Sequence, residues 1–460
     1  MIAFKQILLK INWSSISSIT FIGLQAIVFI VLTQLISTES FGIYALSSAI
    51  VLFGVSIIEN SFPSSLIHSK NPTYKDYNAV LSINLSLAFG FTLLILLILA
   101  GFLYYSSFTI LRAILVILPC LFLAAYNSVQ YAGLKNQLDF KSIAKIEMAS
   151  SAIYILMVSF LAFLGLEYWA LIISLLIKHF VVFVILKTRK LEFSTSIVKL
   201  KGHEFSTHWQ YGKYVVGEKS ASALLSYADS FIIAHFLGMS TLGLYDVLKK
   251  IILRPIILLY NGLEQVFFPL LSSMSHDRKS YLNLVTHLYT ITRFFFAHLS
   301  CIIYLLAPQL LHFLPTEYSN SIAVIRWLAI YSFVIILFNP LDILMYSMGQ
   351  TKLFFKWLLS YCVPLLLVTG YFASFGLVNM LVAITIFYSL LYIVSYFVLR
   401  RSIKIPKEIY FLPILHGVVA IGLTSLLSIY SSNNLITSLI VIFSLIIVST
   451  FSILKRIRTN

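Results

Sequence analysis

Charge is scarce in this chain. Asp, Glu, Lys and Arg make up only 10% of its 460 residues, and hydrophobic residues make up 60%. A soluble domain of that length cannot hide so much apolar surface, so the chain is expected to sit in lipid. Acidic residues are the scarcer sign, 16 against 32 Lys and Arg. Cysteine is nearly absent. Cys120, Cys301 and Cys362 fall in apolar runs with no pairing pattern, which argues for small buried hydrophobes and against redox chemistry. No P-loop, no Gly-rich dinucleotide motif and no His-Glu-x-x-His occurs, so no cofactor or metal is expected. Without an ATPase motif, any transport must draw on an ion gradient, the membrane potential or the substrate gradient itself. The histidines are scattered. His203 and His208 share a polar segment without a carboxylate cluster, and a surface role is expected for both. His179, His235, His287 and His298 lie in or near apolar runs as helix-packing polar groups, any of which could carry a coupling proton. No cleavable signal peptide is visible, so the first apolar run is expected to stay as an anchor.

What the chain does have is apolar runs of bilayer length. Fourteen candidate spans are read, at 13–35, 41–62, 79–103, 108–133, 148–165, 168–187, 213–237, 242–270, 286–308, 321–348, 352–374, 376–399, 410–430 and 435–453. With the N-terminus placed in the cytoplasm, the inside connections collect Lys and Arg, from Lys70 and Lys75 to Arg400, Arg401, Lys404 and Lys407. The outside turns hold none, and carry Glu39, Glu167 and Glu317 instead. This is the positive-inside pattern, and it predicts that both termini are cytoplasmic. The net charge of +16 is then topological and implies no nucleic-acid partner.

The first half of the chain echoes the second at an offset of 201 residues. Residues 30–44 read IVLTQLISTESFGIY and residues 231–245 read FIIAHFLGMSTLGLY. Gly42 and Tyr44 correspond to Gly243 and Tyr245, and Asn60 to Asn261. The echo ends at Phe62-Pro63 and Phe268-Pro269, with the spacing stretched. Both copies start from the same side of the membrane, so they are parallel repeats, and parallel-repeat transporters place substrate at the interface of their halves. The expected fold is an all-α polytopic membrane protein. An N-lobe of six helices covers 1–190, a basic cytoplasmic linker 191–211 and a C-lobe of six helices 212–400. Two further helices and a basic tail occupy 401–460.

Ionisable groups inside spans are costly and point to function by default. Arg112 and Arg326 lie near outer span ends and can snorkel. Lys356 and Arg293 lie nearer the inner face, and Glu59, Glu147 and Asp342 lie near inner ends in reach of water. Span eight differs. Asp246, Lys250, Arg254, Asn261 and Glu264 fall within a stripe under roughly 100° wide. Arg254 is about twelve residues from the outer turn, roughly 18 Å deep, where it must face a cavity or a carboxylate. Pro255 follows it directly, at an expected kink. Span seven carries Glu218, Lys219, Ser222, Ser226 and Asp229, mostly on one face. Lys178 lies mid-span in span six, and Ser14, Ser18 and Gln25 share a face of span one. The stripe reads either as a set of helix-locking ion pairs, such as Asp246 with Lys249 or Lys250, or as the lining of a cavity. The cavity is the favoured reading. Its candidate substrate contacts are Arg254, Lys250, Lys219, Lys178, Asn261 and Gln25. Asp229, Asp246, Glu218 and Glu264 are candidates for ion coupling or ion pairing. A cationic midplane site suits an anionic, phosphate-bearing substrate.

Several segments carry a family resemblance. Phe41-Gly42-Ile43-Tyr44-Ala45-Leu46 opens span two, which ends with Glu59-Asn60-Ser61-Phe62. Leu138-Asp139-Phe140-Lys141-Ser142-Ile143-Ala144 precedes span five. Asp229 leads to Gly238, then to Leu242-Gly243-Leu244-Tyr245 and Phe267-Phe268-Pro269-Leu270-Leu271-Ser272. Over most of 10–400 the chain resembles the Wzx-type polysaccharide flippases (O-antigen, capsule and exopolysaccharide) of the multidrug/oligosaccharidyl-lipid/polysaccharide (MOP) superfamily. The resemblance implies two six-helix bundles around a central cavity lined by basic residues. It also implies passage of an undecaprenyl-diphosphate-linked sugar unit to the outer leaflet of a bacterial inner membrane by alternating access. The first lobe departs from that picture in its lack of central basic residues. The expected partners are the lipid-linked oligosaccharide and membrane lipids, with a polysaccharide polymerase and chain-length machinery beside them. Two alternatives stay open. One is an ion-coupled drug exporter of the same superfamily, which should favour acidic residues in its cavity. The other is a membrane-embedded polymerase, which should carry a large outer loop.

Overall fold

The computed structural model describes residues 26–69, 72–102, 108–189, 196–198, 203–403 and 405–430. All regular structure among them is helical. In lipid no water is at hand to bond a bare amide or carbonyl, so an apolar run closes its hydrogen bonds on itself. In chain order the first helices are α1 (Thr38–Asn60), α2 (Pro63–His68), α3 (Tyr74–Phe102), α4 (Phe108–Ile117), α5 (Pro119–Asn136), α6 (Phe140–Phe163), α7 (Tyr168–Thr188), α8 (His203–Leu237) and α9 (Met239–Ser273). Next come α10 (Arg278–Ile291), a π-helical turn (Thr292–Phe296), α11 (Ala297–Leu305), α12 (Ala307–His312), α13 (Ile322–Phe338), α14 (Pro340–Ser347), α15 (Thr351–Ala373), α16 (Leu377–Ser402) and α17 (Lys407–Tyr430).

Among the described residues, 10 segments are long and apolar enough to cross a membrane, against the fourteen expected. They match expected spans two to seven and nine to twelve. Most of span one and all of span fourteen lie outside the described residues. Span eight forms as α9, a 35-residue helix, and span thirteen forms as α17. Four crossings are composite: α10 with the π turn and α11, and three more, α1 with α2, α4 with α5, and α13 with α14, that break at a proline. In these three, each second piece starts with proline, at Pro63, Pro119 and Pro340. There the missing N–H leaves no helical bond unmade. The helix α9 stays helical through Pro255 and Pro269.

Side chains at helix starts meet the open amides. Ser37 Oγ accepts from Ser40 N at 3.3 Å, and Asp139 Oδ1 from Ser142 N at 3.0 Å. Asp277 Oδ1 accepts from Lys279 N at 3.0 Å and Ser280 N at 3.4 Å, and Asp277 Oδ2 from the Ser280 hydroxyl at 2.6 Å. The bonds from Ser142 and from Ser280 hold the Asp139 and Asp277 carboxyls below the usual carboxylate range. Two expected outer turns are stapled together: Glu167 accepts from Ser37 Oγ at 3.0 Å and from Ser40 Oγ.

By contact the chain divides into two compact units. One is Val31–Asp246, and the other takes the residues from Val247 onward with those before Val31. In the first, α1 is the central helix, touching α4, α5, α7 and α8. In the second, α13 packs on α11 and α16, and α17 packs on α10, the π turn and α11. Repeat and contact divide the chain differently: α8 follows the linker yet belongs by contact to the first unit.

The reason lies at its start. His208 is buried at 1% exposure and lies between Ser65 Oγ (2.7 Å from Nδ1) and Asp76 Oδ1 (3.0 Å from Nε2). This corrects the expected surface role for His208. Trp209 stacks on Phe62 at 5.6 Å and on Phe205 at 5.8 Å. Gly212 lies so close to the Phe62 ring that a Cβ there would come within 2.2 Å of it. The linker segment 196–198 is tied down too, by Ser196 N to Asn78 Oδ1 at 3.1 Å and Val198 N to Ser82 Oγ at 2.9 Å.

Candidate functional site

The repeated Gly-x-Tyr meets itself. A Cβ added to Gly42 would lie 1.9 Å from the Met239 carbonyl oxygen, and one added to Gly243 would lie 1.8 Å from the Thr38 carbonyl oxygen. Thr38 and Met239 are themselves 201 residues apart. The contact is therefore reciprocal, as at a two-fold axis: i touches the repeat-mate of j, and j the repeat-mate of i. Only glycine lets two helix starts approach this closely. The tyrosines two residues on are both buried. Tyr44 bonds through its hydroxyl with Tyr154, and Tyr245 donates to Asp229 Oδ2 at 2.8 Å.

From this crossing α9 carries the polar stripe. Tyr245, Leu248, Ile252, Ile256, Tyr260, Phe267 and Leu271 are buried. Asp246, Lys250, Asn261 and Glu264 are partly exposed, and Arg254 is exposed. Helical periodicity separates the two sets onto different faces. From Asp246 to Glu264 the stripe runs roughly 27 Å along the axis. Asp246 is in charge range of the Tyr44 hydroxyl. Lys250 Nζ lies 5.1 Å from the Phe29 ring centroid, a cation–π contact. Glu264, with Asp342, is in charge range of the Tyr260 hydroxyl.

The other expected site residues are more occupied. Lys219 pairs with its neighbour Glu218 at 3.1 Å. Asp229 accepts from Tyr245 and from Ser230 N at 2.8 Å. Lys178 and Lys135 are in charge range of Glu59, which also feels Glu147. Glu147 accepts from Tyr131 Oη at 2.7 Å. This grouping of α1, α5, α6 and α7 was not foreseen, because its members lie far apart in sequence. Arg112 and Arg326 rest on the rings of Phe108 and Tyr304, at 4.0 and 5.1 Å. Gln25, Ser14 and Ser18 lie outside the described residues.

A second unforeseen group lies at the π turn. Arg293 is buried, 4.2 Å over the Phe294 ring, and the His298 and His416 rings are 5.7 Å apart. The residues of the π turn give no period that betrays it in the sequence. Among the described residues no group of His, Cys, Asp and Glu could hold a metal.

Comparison with known proteins decides the family. Residues 31–324 match the family described as polysaccharide biosynthesis protein. The chain belongs to that family. Its relatives include the teichuronic acid biosynthesis protein TuaB of Bacillus subtilis (strain 168), 22% identical over 371 residues, which are 77% of this chain and 74% of TuaB. The succinoglycan biosynthesis transport protein ExoT of Rhizobium meliloti (strain 1021) is 22% identical over 285 residues, 60% of this chain and 56% of ExoT. Among solved structures, the lipid II flippase MurJ in an inward closed conformation aligns with a TM-score of 0.73 at 14% identity. The alignment covers 97% of this chain and 99% of that one. This family member is thus an all-helical, multi-pass membrane protein with the fold seen in the solved MOP-superfamily proteins.

Proposed function

We propose that this polysaccharide biosynthesis family member is a flippase. It carries an undecaprenyl-diphosphate-linked oligosaccharide unit from the cytoplasmic to the outer leaflet of a bacterial inner membrane, by alternating access, for surface polysaccharide synthesis. The observation that carries the reading is the polar face of α9, with exposed Arg254 near the middle of a helix of membrane-crossing length. A guanidinium at that depth needs an anion, and a planar fork suits a phosphate oxygen pair. Lys250, one turn earlier, adds a point charge, and Asn261 offers an amide to sugar hydroxyls. Lys219, Lys178 and Gln25 are further proposed contacts. Asp246, Glu264, Asp229 and Glu218 are proposed to balance charge or couple an ion.

The same reading takes fourteen spans, cytoplasmic termini, and a polymerase and chain-length machinery downstream. The distribution of Lys and Arg supports the topology. That the deepest charge of the stripe is Arg254, a cation, favours a phosphate-bearing cargo over a cationic drug.

Leaflet location tests it. The gene is deleted in its host, and a membrane-impermeant sugar label is applied to intact and to opened cells. Lipid-linked sugar reachable only in opened cells, with surface polysaccharide lost, supports flipping. Unchanged labelling of intact cells overturns it.

A further inference from the structure

An apolar groove on the first unit plays no part in the function argued so far. It is about 580 Å³ in volume, formed by α3, α5 and α7, and Leu85, Phe122, Tyr126, Ile177, Phe180 and Phe183 are among its lining residues. Ligand pockets commonly run from roughly 300 to 1,000 Å³.

Depth limits the occupant. Ile177 lies near the middle of the 21-residue α7, and Phe183 lies near its last turn. The groove therefore follows α7 for roughly 9 Å, from mid-membrane toward one interface. Only a hydrocarbon chain is at hand there. The walls are aromatic and ready-made. Tyr126 meets Phe183 edge-on at 4.8 Å, Phe180 stacks with Phe183 at 6.2 Å, and Phe122 and Phe180 stay 36% and 53% exposed. The interfacial end carries positive charge. Lys187 Nζ lies 5.5 Å from the Phe183 ring centroid, and exposed Arg189 follows at the C-cap of α7. A single apolar slot ending in a cation complements one hydrocarbon chain ending in an anion. A two-chain phospholipid would leave its second chain outside.

We propose that this groove holds the isoprenoid segment next to the phosphate of a polyprenyl diphosphate, with Lys187 meeting the phosphate. Methyl branches of the isoprenoid pack between the rings of Tyr126, Phe180 and Phe183, and the rest of the chain stays in the bilayer. The identity of the chain rests on the flippase reading, while the groove and its terminal cation do not.

The test uses the full chain in phosphatidylcholine vesicles and a diazirine-bearing polyprenyl diphosphate without sugar, with cross-linked peptides mapped by mass spectrometry. The expected result is labelling within residues 119–126 and 176–183. Undecaprenyl diphosphate should compete at least tenfold better than phosphatidylglycerol. Ile177→Trp, which fills the slot, should cut labelling at least tenfold, and Lys187→Gln, on an exposed site that leaves the core untouched, several-fold. Labelling elsewhere, or equal competition by phosphatidylglycerol, overturns the proposal and makes the groove a seat for ordinary membrane lipid. The probe carries no sugar and binding needs no turnover. Failure here thus leaves the leaflet test standing, and failure of the leaflet test leaves this site standing.

Discussion

The Gly42–Gly243 crossing makes the sharpest demand on the structure. An alanine methyl at 243 would sit 1.8 Å from the Thr38 oxygen and 2.6 Å from the Gly42 nitrogen, and both are backbone atoms that cannot rotate away. Ordinary contact begins at 3.4 Å, so the helix starts must part by about 1.6 Å. Overpacking of this kind costs about 1–3 kcal/mol, and a rigid backbone neighbour puts it at the upper end. Against this stands the gain from replacing glycine in a helix, about 1 kcal/mol. Gly243→Ala and Gly42→Ala should each lose a net of about 2 kcal/mol. At about 2 °C per kcal/mol for a chain this large, that is a drop near 4 °C in Tm.

Gly90→Ala is the control, since nothing lies within 4 Å of a Cβ there. Its Tm should hold or rise. The double variant carries the decisive sign. Once one methyl has parted the helices, the second finds room, so the pair should lose about 1 kcal/mol less than the sum of the singles. The assay is thermal unfolding of purified protein in detergent at one scan rate. If Gly243→Ala behaves like Gly90→Ala, or if the double variant is strictly additive, the reciprocal contact is wrong.

Three other outcomes are expected. His208→Ala should remove one bond each from Ser65 and Asp76, which keep Phe62 and Thr73 as partners, at about 0.5–1.5 kcal/mol per bond, and speed chymotryptic cleavage near Phe205 and Trp209; unchanged cleavage would mean that His208 does not hold the start of α8. Asp277 titrates lower folded than unfolded, so its stabilisation is complete above the ordinary value near about 3.9 and fades as pH falls through the lower folded value. Asp277→Asn, which keeps an acceptor but no charge, should flatten the acid limb of a Tm-against-pH curve, and an unaltered limb would dismiss the carboxylate cap. Arg254→Ala should reduce polysaccharide export at least about tenfold at normal protein level, with Arg254→Lys intermediate, since one charge-assisted bond amounts to about 1.5–3 kcal/mol. Export unchanged in a deletion strain carrying only the alanine form would remove Arg254 from the site.

The legible part of the fold was the part written locally. Apolar length predicted the crossings, and a Gly-x-Tyr at fixed offset predicted that both halves use one turn. The sequence did not say why glycine recurs. Gly42 and Gly243 sit where two carbonyls approach, and a close approach leaves a gap in the side-chain pattern but no record of its partner. His208 shows the opposite limit. Its partners lie 143 and 132 residues away, so a polar linker looked solvated when it was fastened. The grouping of Glu59 with Lys178 was hidden for the same reason. Each was judged by its depth on its own helix, and the meeting of α1 with α7 is a fact of tertiary packing.

That meeting sorts the basic residues that composition alone would treat as equal. Lys219 has its own carboxylate at 3.1 Å, and Lys178 has Glu59 in charge range. For either to take a phosphate, an existing attraction must first be given up, so much of the gain cancels. Lys250 rests on the face of Phe29, with Nζ 5.1 Å from the ring centroid. Arg254 is exposed and forms no ion pair among the described residues. On the flippase reading proposed above, a diphosphate beside α9 would gain most from Arg254, next from Lys250, and little from Lys219 and Lys178. The ranking of these four cations follows from pairing as well as from depth, since Glu218 lies beside Lys219 and Glu59 is in charge range of Lys178.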